Sequence, residues 1–322
     1  MNTKLENIVK HTPLPVAGLA FGITGLGGLF AELGQGALSK PAFGILGAAL
    51  LIIVLLKALF LPQNLKANLQ HPVQAAVATV IPFAFMLDAA YLAPNYPNAA
   101  AFLWLFSLIA VLIYLVWFNA KYILHFQIKQ VFAAYFIPFV GFCVPVMTSH
   151  HLAIDWLPLQ TIRNALFILS VIGFVVMFVV ISIRYLKIPV TEISSRPVFA
   201  IYTAPLAMLI VGYARLLPLG EHSATLVLVS LILSQLLFVM VLSQVPSYLK
   251  NGFFPSYAAL TFPFIITANS MFEGLRILNA NEAWFYLAYA EGIFAIVMTL
   301  FVLVQYLIFF KKIANNPPQT GH

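Results

Sequence analysis

Residues 254–276 read FPSYAALTFPFIITANSMFEGLR. The stretch opens at Phe254-Pro255, carries Pro263 part-way along, and holds charge only at Glu273 and Arg276. An apolar run of about 20 residues matches a hydrocarbon core of roughly 30 Å. Lipid offers the backbone no hydrogen bonds, so such a run must be helical. It does not alternate polar with apolar residues, as a barrel strand would. The reading is a transmembrane helix bearing a proline. The same pattern occurs elsewhere in the chain. One run starts at His71-Pro72 and carries Pro82, another starts at Arg196-Pro197 and carries Pro205, and a third carries Pro138 and Pro145.

Outside these runs the chain is equally apolar. Of 322 residues, 62% are hydrophobic and only 8% charged, where soluble domains carry about 25% charged residues. The mean hydropathy is +1.00. The sequence predicts an all-α integral membrane protein with spans at 14–33, 41–61, 73–93, 98–119, 131–149, 161–185, 198–217, 223–245, 255–276 and 283–310. Pro62-Gln63-Asn64, Pro94-Asn95-Tyr96-Pro97, the polar stretch from Arg184 to Pro197, and Lys250-Asn251-Gly252 supply breaks. Twelve Lys and Arg fall on one side of this topology. Four, Lys40, Arg163, Arg215 and Arg276, fall on the other. The positive-inside bias then places both termini in the cytoplasm, which requires an even number of spans. The expected organisation is a cytoplasmic N-terminus over 1–13, a ten-span domain over 14–310 and a cytoplasmic tail over 311–322, disordered from Asn315, in the plasma membrane.

The prolines mark the odd-numbered spans and recur roughly every 60 residues, about one helical hairpin apart. The first span lacks a mid-span proline but holds Gly18, Gly22, Gly25, Gly27 and Gly28. The even spans contain no proline well inside them. A proline within a helix frees a carbonyl and bends the axis. In lipid that carbonyl must face protein or water. Five kinked helices therefore tend to gather inside five straighter ones, and such a ring is a natural pore wall. Ordinary packing kinks are the competing reading, since Pro and Gly are common in membrane helices.

Three segments carry a resemblance. Pro13-Leu14-Pro15-Val16-Ala17-Gly18-Leu19-Ala20-Phe21-Gly22 with Gly25-Leu26-Gly27, then His71-Pro72 with Ile81-Pro82-Phe83 and Met86-Leu87, then Thr261-Phe262-Pro263 with Ala268-Asn269-Ser270, occur in the order found in the tellurite-resistance/dicarboxylate transporter (TDT) family. That family includes bacterial TehA proteins, the yeast malate permease and the plant slow anion channels. The chain departs from the pattern at Thr24, where some members have a proline, and its fifth span is only loosely similar. The resemblance implies five helical hairpins around a quasi-fivefold central pore, a homotrimer, and a pore plugged by an aromatic ring from the ninth span. The matching residue is Phe262, with Gly25, Pro82, Pro138, Pro205, Pro263 and Thr261 as kinks and lining.

Phe262 precedes a proline, so its backbone is restricted, and a bulky apolar ring on the axis would act as a hydrophobic gate. It is also one of 29 phenylalanines, any of which could be core or lipid-facing. Asp88, Glu273, Arg215 and Arg276 fall toward the outer ends of spans and are candidate mouth charges. Arg215 and Arg276 could instead pair with Glu273 and Glu221. Glu32 and Glu291 complete the intramembrane acids. No acidic ring lines the expected path, which argues against a cation channel. An apolar, weakly positive pore suits anions that dehydrate easily, such as nitrate or chloride, steadied by the Thr261 and Thr267 hydroxyls and by helix termini.

Scattered basic residues exclude a nucleic-acid partner, and no phosphate-loop, nucleophile-elbow or zinc-protease motif supports an enzyme. His150-His151, adjacent on a helix, diverge by about 100° and make a poor metal pair even with Asp155 nearby. Cys143 stands alone, so no internal disulfide forms, and no cofactor is expected. The sequence thus points to a channel or channel-like carrier of small anions. The alternatives are a proton-coupled transporter of C4-dicarboxylates such as malate, or of tellurite oxyanions, and a non-transporting membrane scaffold.

Overall fold

The computed structural model describes residues 3–152, 154 and 156–315. Asp155, the His151 side chain and the tail beyond 315 lie outside the described residues. All regular structure among the described residues is helical.

In chain order the helices are α1 Thr3–His11, α2 Val16–Glu32, α3 Gly36–Phe60, α4 Pro62–Asn68, α5 Pro72–Ala78, α6 Val80–Leu92 and α7 Pro97–Phe118. Then come α8 Phe136–Val140, α9 Cys143–Thr148, α10 Leu159–Lys187, α11 Ala204–Leu216, α12 Ala224–Leu242, α13 Val245–Leu249, α14 Phe262–Ile277 and α15 Glu282–Asn315. Two tight 3-10 stretches, Ile193–Thr203 and Pro255–Leu260, lead into α11 and α14. Seven helical stretches are long and apolar enough to cross a membrane: 36–60, 72–92, 97–123, 159–187, 193–216, 224–249 and 282–315. Residues 4–11 and 16–32 meet at a bend of 94° and together make an eighth. The predicted fifth and ninth spans are helical but interrupted. The fifth is a turn at Ala133–Tyr135 followed by α8 and α9, and the ninth is Pro255–Leu260 followed by α14.

The prolines lie inside the stretches where the sequence reading put them, each near the start of a helical segment. Pro82 is the third residue of α6, Pro138 the third of α8, Pro205 the second of α11 and Pro263 the second of α14. In a first turn the backbone N–H has no intrahelical acceptor, so a missing one costs nothing. Each of these prolines thus opens a helical segment just after a short irregularity in the stretch.

Burial separates two kinds of helix. The stretch 193–216 is mostly buried within the protein, and α2 and α14 are buried on nearly every face. The long helices bury one stripe only. In α10 it comprises Leu166, Ser170, Gly173, Met177, Ile181 and Arg184, three or four residues apart as one helix face requires. Ile168, Leu169, Ile172, Val175, Val176 and Val179 of the same helix are exposed. An apolar face this extensive would be untenable in water and suits lipid. The well-buried elements touch in a closed cycle: α2 meets α6, α6 meets α9, α9 meets α11, α11 meets α14, and α14 returns to α2. Each also packs on the long helix that follows it: α2 on α3, α6 on α7, α8 and α9 on α10, 193–216 on α12, and α14 on α15.

Candidate functional site

The breaks in three inner elements are built alike. Thr79, Thr203 and Thr261 each stand just before the helix that carries the proline. Each hydroxyl donates to the carbonyl of an alanine three residues back: Ala76, Ala200 (3.1 Å) and Ala258 (2.7 Å). A threonine hydroxyl can satisfy backbone locally and so terminate one helix before another begins. All three are fully buried. The signal in the sequence is Ala-x-x-Thr with the threonine two or three residues before the proline.

At Thr261 the break is sharpest, with φ −110° and ψ −93°. Two glycines of α2 admit it. A Cβ on Gly22 would collide with the Thr261 side chain and reach within 3.1 Å of the Phe262 nitrogen. A Cβ on Gly25 would stand 3.1 Å from Cδ2 of the Phe262 ring. Phe262, the first residue of α14, lays its ring on Phe21 of α2, with centroids 3.8 Å apart and planes 28° apart.

Two cavities meet at this ring. The inner one, about 70 Å³, is walled by residues of all five inner elements, among them Phe21, Val77, Val140, Ile201 and Pro263, and is almost wholly apolar. The outer one, about 230 Å³, is walled by Gly25, Gly28, Tyr91, Asn269 and charged groups including Lys40, Arg215, Glu32 and Glu273. Among the described residues, Phe262 is the one common to both walls.

The expected lining residues divide. Pro205 and Pro263 face the inner cavity and Gly25 the outer. Pro82 and Pro138 face neither, while their neighbours Phe83 and Ile137 face the inner one. The Thr261 and Thr267 hydroxyls are both engaged by backbone carbonyls. Thr261 donates to Ala258 and lies 3.4 Å from the Gly18 carbonyl. Thr267 donates to the Pro263 carbonyl at 2.8 Å and lies 3.3 Å from that of Thr203.

The charges sort similarly. Arg215 pairs with Glu273, and Arg276 pairs with Glu32 and more loosely with Glu273 at 3.9 Å. Glu32 takes the role anticipated for Glu221. Asp88 lines neither cavity. Leu87, Ala90 and Tyr91 face the outer cavity, and Asp88 follows Leu87 by one residue, about 100° round the helix. Its carboxylate is buried against Gly44 of α3, and both oxygens lack a hydrogen-bond partner among the described residues. Glu291 on α15 is buried in the same condition. Phe21 escaped the sequence reading. It lies one turn before Gly25 on α2, and that spacing on a glycine-rich face was the available clue.

The profile of the voltage-dependent anion channel family (SLAC1) matches residues 16–307, nearly the whole chain. A search of curated proteins returns no match. The match agrees with the apolar helices in making this a multi-pass membrane protein, of a family of anion channels and transporters rather than enzymes. By a match of this extent, following the order of segments that carried the TDT resemblance, the chain belongs to the voltage-dependent anion channel (SLAC1) family.

Proposed function

We propose that the protein conducts small anions along the axis of its five inner elements, through a path that the Phe262 ring occludes. The observation that carries this reading is that Phe262 alone among the described residues borders both cavities. A hydrated ion meeting an apolar ring must shed water with nothing to replace it, so the ring is a barrier until it moves. The closed cycle of contacts supports a ring of inner elements, each hairpinned to a lipid-facing helix. On this reading the interrupted 133–148 and 255–277 stretches are crossings, which brings the total to ten around a quasi-fivefold pore. Broken helices are tolerated at membrane depth where protein buries them.

The anion preference follows from the wall. The inner cavity offers no acid, and the two acids of the outer one, Glu32 and Glu273, are engaged by arginines. Easily dehydrated anions such as nitrate and chloride fit such a path best. Twelve basic residues against four favour cytoplasmic termini, and on this reading the membrane is the plasma membrane. A homotrimer belongs to the same reading, and sizing in lipid nanodiscs tests it.

The proton-coupled dicarboxylate or tellurite reading needs a titratable group on the path. Asp88 lies off both cavities, and Glu273 is held by Arg215 and Arg276. A scaffold would leave the two cavities and the ring between them without a role. Planar-bilayer recording of wild type and Phe262→Ala in chloride, nitrate and malate tests the proposal. The variant is expected to carry at least about tenfold more anion current, the equivalent of some 1.4 kcal/mol off the barrier. Unchanged current would remove Phe262 from the gate, and sodium-selective current would remove the anion path.

A further inference from the structure

Beside His150, the outer wall holds four side chains charged at neutral pH, Lys40, Arg215, Glu32 and Glu273. Arg215 is neutralised by Glu273, and Glu32 by Arg276 from outside the wall. Lys40 makes no ion pair among the described residues, and its Nζ stands 6.0 Å from the centre of the Tyr91 ring. The cavity therefore carries one uncompensated positive charge.

That charge is held in place from two sides. α2 and α3 cross so closely at Lys40 that a Cβ on Gly27 would stand 3.0 Å from the Lys40 Cα. Tyr91 is itself fixed, its hydroxyl donating to the Thr24 carbonyl at 2.8 Å. α3 has no acidic residue in its first turn, so the positive end of the helix adds to the lysine and is not cancelled. A half-buried cation in a concave pocket focuses the field and raises the local concentration of counter-ions.

We propose that Lys40 makes the outer cavity a capture site for small monovalent anions, loading them against the outer face of Phe262. Conduction past Phe262 rests on the function proposed above; capture at Lys40 does not require an open path.

The test has two arms. In the first, single-channel conductance of Phe262→Ala is compared with and without Lys40→Gln, for chloride entering from the Lys40 side. Lys40→Gln is expected to lower that conductance about threefold in dilute salt, with most of the difference gone at 1 M, where the screening length is about 3 Å. Lys40→Arg should preserve it and Lys40→Glu should lower it further. Conductance per channel is insensitive to how much protein folds. In the second arm, thermal stabilisation of the full chain by thiocyanate is measured without the Phe262 substitution. It should be reduced in Lys40→Gln and kept in Lys40→Arg. If Phe262→Ala is silent yet the stabilisation depends on Lys40, the gate fails and the capture site stands. If stabilisation is the same in wild type and Lys40→Gln, or Phe262→Ala conducts with unaltered salt dependence after Lys40→Gln, the capture site is overturned.

Discussion

The rings of Phe21 and Phe262 stack with centroids 3.8 Å apart, although the two residues belong to the first and last of the five inner elements. An aromatic stack contributes about 0.5–1.5 kcal/mol beyond area burial. Phe262 is also only 8% exposed, so its ring is clamped in place.

Phe21→Ala should therefore open the path part-way. The substitution removes the clamp and widens the inner cavity but leaves the Phe262 ring present. We expect anion current above wild type by a few-fold, short of the rise in Phe262→Ala, and little further gain in the double variant. Bilayer recordings of the three variants check this. Equal currents in wild type and Phe21→Ala would show that the stack does not hold the ring.

Gly22→Ala should destabilise the protein. Its Cβ would collide with Thr261 and crowd the Phe262 backbone, and overpacking of this kind costs typically about 1–3 kcal/mol. Thermal unfolding in detergent, followed by fluorescence-detected size exclusion, should show a lower midpoint. Gly34→Ala makes a control of another kind: it meets no neighbouring atom but has a positive φ of 80°. Its cost should be backbone strain alone, with channel properties unaltered.

The positions of the helical segments could be read from sequence because lipid imposes a length and composition on every crossing. How a segment is built inside could not. Pro263 reads as a mid-span kink until the Thr261 hydroxyl is seen bonding Ala258, which makes the proline the start of a new helix. Phe262 was found through resemblance, but Phe21 is chosen by contact between helices some 240 residues apart in sequence, and its place on the glycine-rich face of α2 hints at a close approach without naming the partner. Asp88 looked like a mouth charge from its depth. Its rotation about α6 turns it toward Gly44, and rotation depends on packing.

Thr203→Val tests the repeated break. Valine keeps the shape but leaves the Ala200 carbonyl without its hydroxyl donor, and the net worth of such a bond is about 1 kcal/mol. Thermal midpoints should fall for Thr203→Val and Thr79→Val and recover in the corresponding Thr→Ser variants. Equal midpoints for Val and Ser would show that shape, and not the hydrogen bond, sets the break.

Glu273→Gln changes the charge of the outer cavity without changing its shape. Glu273 is engaged by Arg215 and, at 3.9 Å, by Arg276. Neutralising it leaves Arg215 as a second uncompensated cation in the wall beside Lys40. The cavity becomes more positive, so in the Phe262→Ala background anion conductance from the outer side should rise about two- to threefold at low salt and converge at high salt. The Arg215 side chain is 36% exposed, so Glu273→Gln leaves a screened cation and should cost little stability; Glu273 is only 12% exposed, so Arg215→Gln should cost more. Arg215→Gln should do the reverse, because the acid is then left to repel anions from the cavity. Opposite shifts of conductance per channel in these two variants would separate an electrostatic mouth from a merely structural ion pair. Shifts of the same sign would mean that the pair holds the outer ends of α11 and α14 together and leaves the passing ion untouched.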